Sequence, residues 1–166
     1  FLGAAQLDRF GNINTTVIGD YDRPKIRLPG GGGAPEIASS SGEIYITMKQ
    51  TLRGMVEKID FVPSFGHGTG GDDRQKLGMT TLGPTLLITD LAVWRPDPVT
   101  KEFTVVSMHP GVTKENVQAT CGWTVKFADD VDVTPAPSVL ELKTLRDLKA
   151  RTKAAHAAPS TSGANA

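Results

Sequence analysis

Cysteine is nearly missing from this sequence. Cys121 stands alone among 166 residues, so no intrachain disulfide can form and a reducing, cytoplasmic setting fits. On its own it reads as a small buried apolar residue. A surplus of either charge is missing too, since lysine plus arginine and aspartate plus glutamate both number 18. Nucleic acid and anionic membranes usually demand a basic surplus, so neither is expected as a partner. No apolar run approaches the roughly 18 residues of a spanning helix, and no signal-peptide pattern opens the chain. No two histidines or cysteines share ligand spacing, so nothing points to a metal site. An initiator methionine is absent as well. Phe1-Leu2-Gly3-Ala4-Ala5 reads as the tail of a buried strand already under way, so the chain is expected to be a C-terminal piece.

What the chain does have is glycine in one telling place, Leu28-Pro29-Gly30-Gly31-Gly32-Gly33-Ala34-Pro35-Glu36-Ile37-Ala38. Proline fences the run on both sides, and Pro35 suits the first position of a helix, where its missing N–H is no loss. Glycines permit positive φ and close approach of main chain to a ligand. The run therefore reads as a turn that exposes successive N–H groups at a helix start, a nest for an anion or a developing oxyanion.

Elsewhere the pattern is of short strands and few helices. Ile13 to Ile18 is β-branched and predicts extended chain, followed by a charged connection over Asp20 to Arg27. Ile44 to Met48 and Ile59 to Val62 read as strands, Leu86 to Thr89 as a short buried one, and Leu91 to Trp94 should pair with Phe103 to Met108. Phe65 to Asp73 forms a second glycine-rich loop. Thr113 can cap a short helix through Ala119. Ser138-Val139-Leu140-Glu141 is a capping box that opens a last helix with Leu142, Leu145 and Leu148. These leucines, with Trp94 and Trp123, are expected in a core or a subunit interface. Composition from 157 to 166 predicts a disordered tail beyond a domain covering 1–156.

The order of these pieces resembles the β subunit of glutaconate CoA-transferase and its relatives. The residues that carry the likeness are Phe1 to Asn14, Ile18-Gly19-Asp20-Tyr21, Arg27 to Ala38 and Lys58 to Val62. Gly70-Gly71 with Arg74, Leu77-Gly78 and Gly83-Pro84 before Leu86 to Asp90 continue it, and His109 to Thr113 with Gly122-Trp123 carry it more weakly. The resemblance implies an α/β fold with a mixed, partly parallel sheet and flanking helices, of the NagB/RpiA/CoA transferase type. It also implies an α subunit as obligate partner, commonly in an α2β2 heterotetramer. The substrate would be an acyl-coenzyme A thioester, with no tightly bound cofactor. In that family a glutamate attacks the thioester to give an acyl-glutamyl anhydride, and coenzyme A then gives a glutamyl thioester that passes it on. No carboxylate here matches that glutamate, which is expected upstream in the missing N-terminal part of the subunit. Asp8, Asp20, Glu36 and Glu43 do not match its motif.

From these residues a part of a CoA-transferase β subunit acting on short dicarboxylic acyl-CoA esters is expected. Gly31, Gly32 and Gly33 would supply oxyanion-hole amides, while Gln6, Gly30 and Asn14 would contact substrate. Gln6 could equally satisfy neighbouring turn amides, and Asn12 and Asn14 are suited to holding turns. His67 reads as part of a solvated loop, although His67 or Arg74 could approach phosphates, and His109 should end a strand. Three alternatives share the fold: a decarboxylase of a glutaconyl-type thioester, a ring-opening acyl-CoA hydrolase, and a non-catalytic assembly module.

Overall fold

Alternation of apolar and polar residues builds the main sheet, because successive side chains of a strand point to opposite faces. The computed structural model describes residues 1–157. The elements in chain order are β1 (Gln6–Leu7), β2 (Ile13–Asn14), β3 (Val17–Gly19), β4 (Pro24–Arg27), α1 (Ala34–Ser40), β5 (Ile44–Thr47) and α2 (Asp73–Lys76). Then follow β6 (Pro84–Ile88), β7 (Ala92–Pro96), β8 (Phe103–Met108), α3 (Lys114–Ala119), β9 (Lys126–Val133) and α4 (Val139–Ala157). Strands β5-β6-β7-β8-β9 form one sheet in that order. β5 pairs parallel with β6, β7 pairs antiparallel with both β6 and β8, and β8 pairs parallel with β9. The mixed sheet with flanking helices is the expected one.

Parallel neighbours cannot be joined by a tight hairpin and need a long crossover. The connection from β5 to β6 is such a crossover, and it carries the second glycine-rich loop and α2. The antiparallel β7 and β8 need only a short turn, where the Asp97 carboxylate accepts from the amides of Val99 and Thr100. The core gathers Ile44, Ile46, Leu87, Ala92, Trp94, Phe103 and Val105 from the sheet, with Leu7, Ile13, Met55, Val117 and Trp123 packed against them. Trp94 and Trp123 lie in it with ring centroids 6.2 Å apart, as their composition suggested. Thr113 caps α3 through a full capping box with Asn116.

Several expectations need correction. Ile59 to Val62 forms no strand, because Asp60 turns its backbone toward the Gln6 side chain instead of toward a ladder. Ile13 to Ile18 is broken at Thr15-Thr16 into β2 and β3, which belong to different two-stranded ribbons. The charged connection contains β4, whose Arg27, Ile26 and Pro24 pair with Val17, Ile18 and Gly19. β9 has no foreseen counterpart. Its Asp129, Asp130 and Asp132 place negative charge on the outermost strand, which discourages pairing with another chain.

A second unit begins at Pro135 and contains α4. Its start is the expected capping box, with the Ser138 amide donating to Glu141 at 2.7 Å and the Glu141 amide to the Ser138 hydroxyl at 3.2 Å. The leucines, however, do not enter a core. Val139, Leu140, Leu145 and Leu148 are 85%, 72%, 47% and 50% exposed. Steps of three residues fall about 60° short of a full turn each, so Val139, Leu142, Leu145 and Leu148 wind half-way round the helix rather than forming one stripe. Of the tail expected over 157–166, Ala157 ends α4 and the remainder lies outside the described residues.

Cys121 is 5% exposed, and burial pushes its thiol up to about 11 from an ordinary 9.0. The folded chain thus holds this proton longer than the unfolded one. The contribution to stability is whole below pH 9.0 and falls away as pH rises toward about 11. At pH 8, alkylation of Cys121 by iodoacetamide should run about a hundredfold slower in the native protein than in urea. Equal rates would show that the thiol is not shielded.

Candidate functional site

After β4 the chain doubles back on the segment between β2 and β3. Leu28 and Gly30 donate their amides to the carbonyls of Thr16 and Thr15, both at 3.0 Å. Gly30 and Gly32 hold φ of +102° and +53°, a region that favours glycine. Gly31 is demanded by space, since a Cβ there would lie 2.9 Å from Pro35 Cγ and 3.5 Å from Pro63 Cβ. The Gly31 carbonyl accepts the Ala34 amide at 2.9 Å, and Gly33 is the N-cap of α1, whose second residue is Pro35, one place past the first position the sequence suggested. The amides of Gly31, Gly32 and Gly33 have no acceptor among the described residues. Three neighbouring donors therefore stand open at a bend whose inner side is walled by Pro35 and Pro63.

A network of side-chain amides holds the chain beneath this bend. Asn14 donates to Gln6 Oε1 at 2.7 Å and to the Val17 carbonyl at 2.6 Å, while its oxygen accepts from the amides of Thr16 and Val17. Gln6 donates to the Asp60 carboxylate at 2.8 Å and accepts from the Asp60 amide at 3.0 Å. The same carboxylate oxygen accepts from the Gly19 amide. Gln6, Asn14 and the glycine turn are thus brought together, with Asp60 as a member whose sequence neighbourhood had suggested a strand. Asn14 is fully buried and its polar groups are all engaged within the chain, as is the Gly30 amide. The expected substrate contact at Asn14 has no free side-chain group behind it, and one at Gly30 would fall to its carbonyl rather than its amide. Gln6 keeps one amide hydrogen without an acceptor among the described residues.

The second glycine-rich loop is fastened in the same way. Asn12 Oδ1 accepts from the amides of Gly66 and Gly68 at 2.9 and 3.2 Å, and its Nδ2 donates to Asp8 and to the Gly68 carbonyl. Asn12 and Asn14 therefore hold turns, one of the two roles weighed for them. Burial raises the Asp8 carboxyl above its ordinary value, against the pull of the Asn12 hydrogen bonds. Gly66 packs backbone to backbone, since a Cβ there would fall 2.3 Å from the Gly11 carbonyl carbon. Beside this crossing lies a hollow of about 520 Å³ whose walls include Phe10, Ile59, Val62 and Phe65, with Lys58 at its lining.

Two expectations about this loop are overturned. His67 is 4% exposed, with Nε2 2.8 Å from the Pro84 carbonyl, so it is no solvated loop residue. Burial lowers its pKa and favours the neutral ring. Arg74 is 3% exposed and directed at backbone carbonyls of its own chain, which leaves it unavailable to a phosphate. His109 follows the last residue of β8 and bridges the Thr134 hydroxyl and the Thr89 carbonyl. A polar residue inside a glycine loop carries no local sign of such burial, because its partners lie far along the sequence.

The mixed sheet with flanking helices, carrying an amide-rich turn just after β4, defines an α/β class of domain. The family model described as Coenzyme A transferase matches residues 1–120, and the chain belongs to that family. It is 57% identical over 156 residues to the B (β) subunit of 3-oxoadipate CoA-transferase from Pseudomonas knackmussii, covering 94% of this chain and 60% of that protein. It is 38% identical over 144 residues to the corresponding subunit of glutaconate CoA-transferase from Acidaminococcus fermentans, covering 86% of this chain and 54% of the relative. The crystal structure of the Acidaminococcus glutaconate coenzyme A-transferase superposes with a TM-score of 0.82 at 35% identity, over 88% of this chain and 56% of that one. The chain thus spans between half and two-thirds of the length of the curated relatives it matches.

Asn12 is 4% exposed, and truncating it would strand two loop amides. Asn12→Ala should lower stability by about 3 kcal/mol, read from the urea midpoint, and should open the 65–69 loop to proteolysis before the rest of the unit. An unchanged midpoint would show that the amide does not hold this loop.

Proposed function

We propose that this chain is part of the B, or β, subunit of a CoA-transferase acting on short dicarboxylic acyl-CoA thioesters, with Gly31, Gly32 and Gly33 as main-chain donors to the reacting carbonyl oxygen. The observation that carries the reading is the set of three neighbouring amides left open by a turn that the fold secures on both sides. Family membership supports the reaction class. The names of two relatives, 3-oxoadipate and glutaconate CoA-transferase, support a dicarboxylic acyl group.

The chemistry divides between this chain and groups outside it. A carboxylate, the glutamate that the family resemblance implies, attacks the thioester carbonyl carbon. The carbonyl π pair moves onto oxygen, and the tetrahedral oxyanion collapses with loss of the coenzyme A thiolate to leave an acyl-glutamyl anhydride. The thiolate then attacks the glutamyl carbonyl and releases the first carboxylic acid as its carboxylate. The resulting glutamyl thioester passes coenzyme A to a second carboxylate by the same two steps in reverse. Each attack builds negative charge on one oxygen, where a fixed amide stabilises the transition state more than the ground state. Removing one such donor costs about 10²–10³ in kcat in well-studied cases. None of this requires a bound cofactor. The glutamate and an A, or α, subunit would complete the centre in a cytoplasmic α2β2 heterotetramer.

Gly32 offers the cleanest test, because a side chain there meets no atom within 4 Å yet its φ of +53° is strained for a β-branched residue. In the assembled protein, Gly32→Val should cut the rate of coenzyme A exchange between an acyl-CoA and a free dicarboxylate by about a hundredfold, with the fold retained by circular dichroism. Carbon dioxide release is measured alongside. Carbon dioxide without exchange would replace transfer by decarboxylation, and full activity in the variant would remove the turn from the chemistry.

A further inference from the structure

Helix α1 begins at the glycine turn, so whatever fixes its other end also fixes the direction of the open amides. The last four carbonyls of a helix have no partner inside it. Here two of them are taken from outside. The Ala38 carbonyl accepts from Arg74 Nη2 at 3.2 Å, and the Ser39 carbonyl accepts from the Thr81 hydroxyl at 3.2 Å. That hydroxyl in turn accepts from Arg74 Nη2 at 2.6 Å. The rest of the guanidinium reaches two further segments. Nη1 donates to the Gly66 and Phe65 carbonyls at 2.9 and 3.3 Å, and Nε to the Thr81 carbonyl at 3.4 Å. The backbone at Gly83 lies against the same group, where a Cβ would come within 2.8 Å of Nε.

Arg74 is 3% exposed, and no carboxylate pairs with it among the described residues. Its charge is met by carbonyl dipoles and by the negative end of α1. A buried cation held only by main-chain oxygens and one hydroxyl is a costly way to fill space. Its geometry explains what it does, because a planar fork can bind three segments in fixed directions where a flexible ammonium cannot. Segment 65–66 follows closely on Pro63, the residue that walls Gly31 on the turn's inner side.

We infer that Arg74 is the positioning residue of the glycine turn: it clamps the C-terminal end of α1 to the 65–66 and 81–83 segments and so sets where the Gly31–Gly33 amides point. Its catalytic consequence rests on the reading of those amides as oxyanion donors. Thr81 is its relay to the last turn of the helix. A role in space-filling alone would make any apolar residue of similar volume an adequate replacement.

The test compares the assembled protein with its Arg74→Lys, Arg74→Met and Thr81→Val forms by hydrogen exchange and by kinetics. In Arg74→Lys, exchange over 29–41 should rise at least tenfold while the β7–β8 hairpin at 92–108 stays unchanged. The kcat for coenzyme A exchange should fall at least tenfold with KM for the acyl-CoA within twofold, since the donors act chiefly in the transition state. Arg74→Met, where it folds, should show the same split, and a wild-type profile in it would reduce Arg74 to space-filling. Thr81→Val, which removes only the relay, should show the split to a smaller degree and serves alone if Arg74→Met does not fold. Unchanged exchange over 29–41, or a uniform rise that includes 92–108, would overturn the assignment. So would a normal kcat in Arg74→Lys despite faster exchange over 29–41. A wild-type protein inactive on thioesters, with the local rise in exchange still present, would instead overturn the proposed function and leave the clamp standing.

Discussion

Every buried peptide group needs a hydrogen-bond partner, and the part of this chain around the glycine turn has little regular structure to provide one. Strands β5 to β9 satisfy one another through their ladder. Residues 5–20 contain strands of only two or three residues, and 57–71 contain none. There, side chains stand in for backbone. Asn12 alone completes the amides of Gly66 and Gly68 and the carbonyl of Gly68, and Asn14 completes Thr16 and Val17. An asparagine carries the same donor and acceptor as a peptide group on a short stem, so it can be inserted where a strand cannot reach. The irregular chain is thereby made as definite as the sheet beside it.

Glycine supplies the complementary half of this construction. Where amides hold segments together, the segments come too close for a Cβ. Gly66 lies on Gly11, Gly83 on Arg74, and Gly31 on Pro35. The four residues of the turn divide instructively under this view. Gly30 and Gly32 are explained by positive φ and Gly31 by the proline ring. At Gly33 neither φ, at −83°, nor crowding calls for glycine, since a Cβ would meet nothing within 4 Å. Its place in the fold is the N-cap of α1, which glycine suits but other residues can fill. What a bare Gly33 does provide is open access to its own amide, which is what the proposed reading needs.

The sequence made the local features legible and hid the distant ones. Alternation exposed β5 and the β7–β8 pair, and capping chemistry exposed the starts of α3 and α4, because each signal lies within a few residues. Ile59 to Val62 has strand composition, but Asp60 is drawn to Gln6, 54 residues away, and the ladder never forms. His67 and Arg74 sit among glycines, polar residues and turns, which looks like solvent-facing loop. Their burial is decided by carbonyls of Pro84 and Ala38, neither of which leaves any mark on the sequence near them. The same limit applied to α4, where the spacing of the leucines announced a helix but not an apolar face.

Under the proposed function this division has a consequence for where catalytic power resides. An amide stabilises a developing oxyanion well only if it is already aimed before the charge appears, since any reorientation during the reaction consumes the benefit. A glycine-rich turn is the worst candidate for such rigidity when taken alone, because glycine loses the most freedom on folding. Here the freedom is removed from outside the turn. Thr15 fixes its entry, Pro35 and Pro63 its inner wall, and Arg74 with Thr81 the far end of the helix it opens. The flexible residues keep the donors uncovered, and residues that never touch the reacting atoms keep them still. The sequence constraint on activity then extends well beyond the turn, to an arginine 41 positions after Gly33 (74 minus 33) whose hydrogen-bond partners are backbone carbonyls and one hydroxyl.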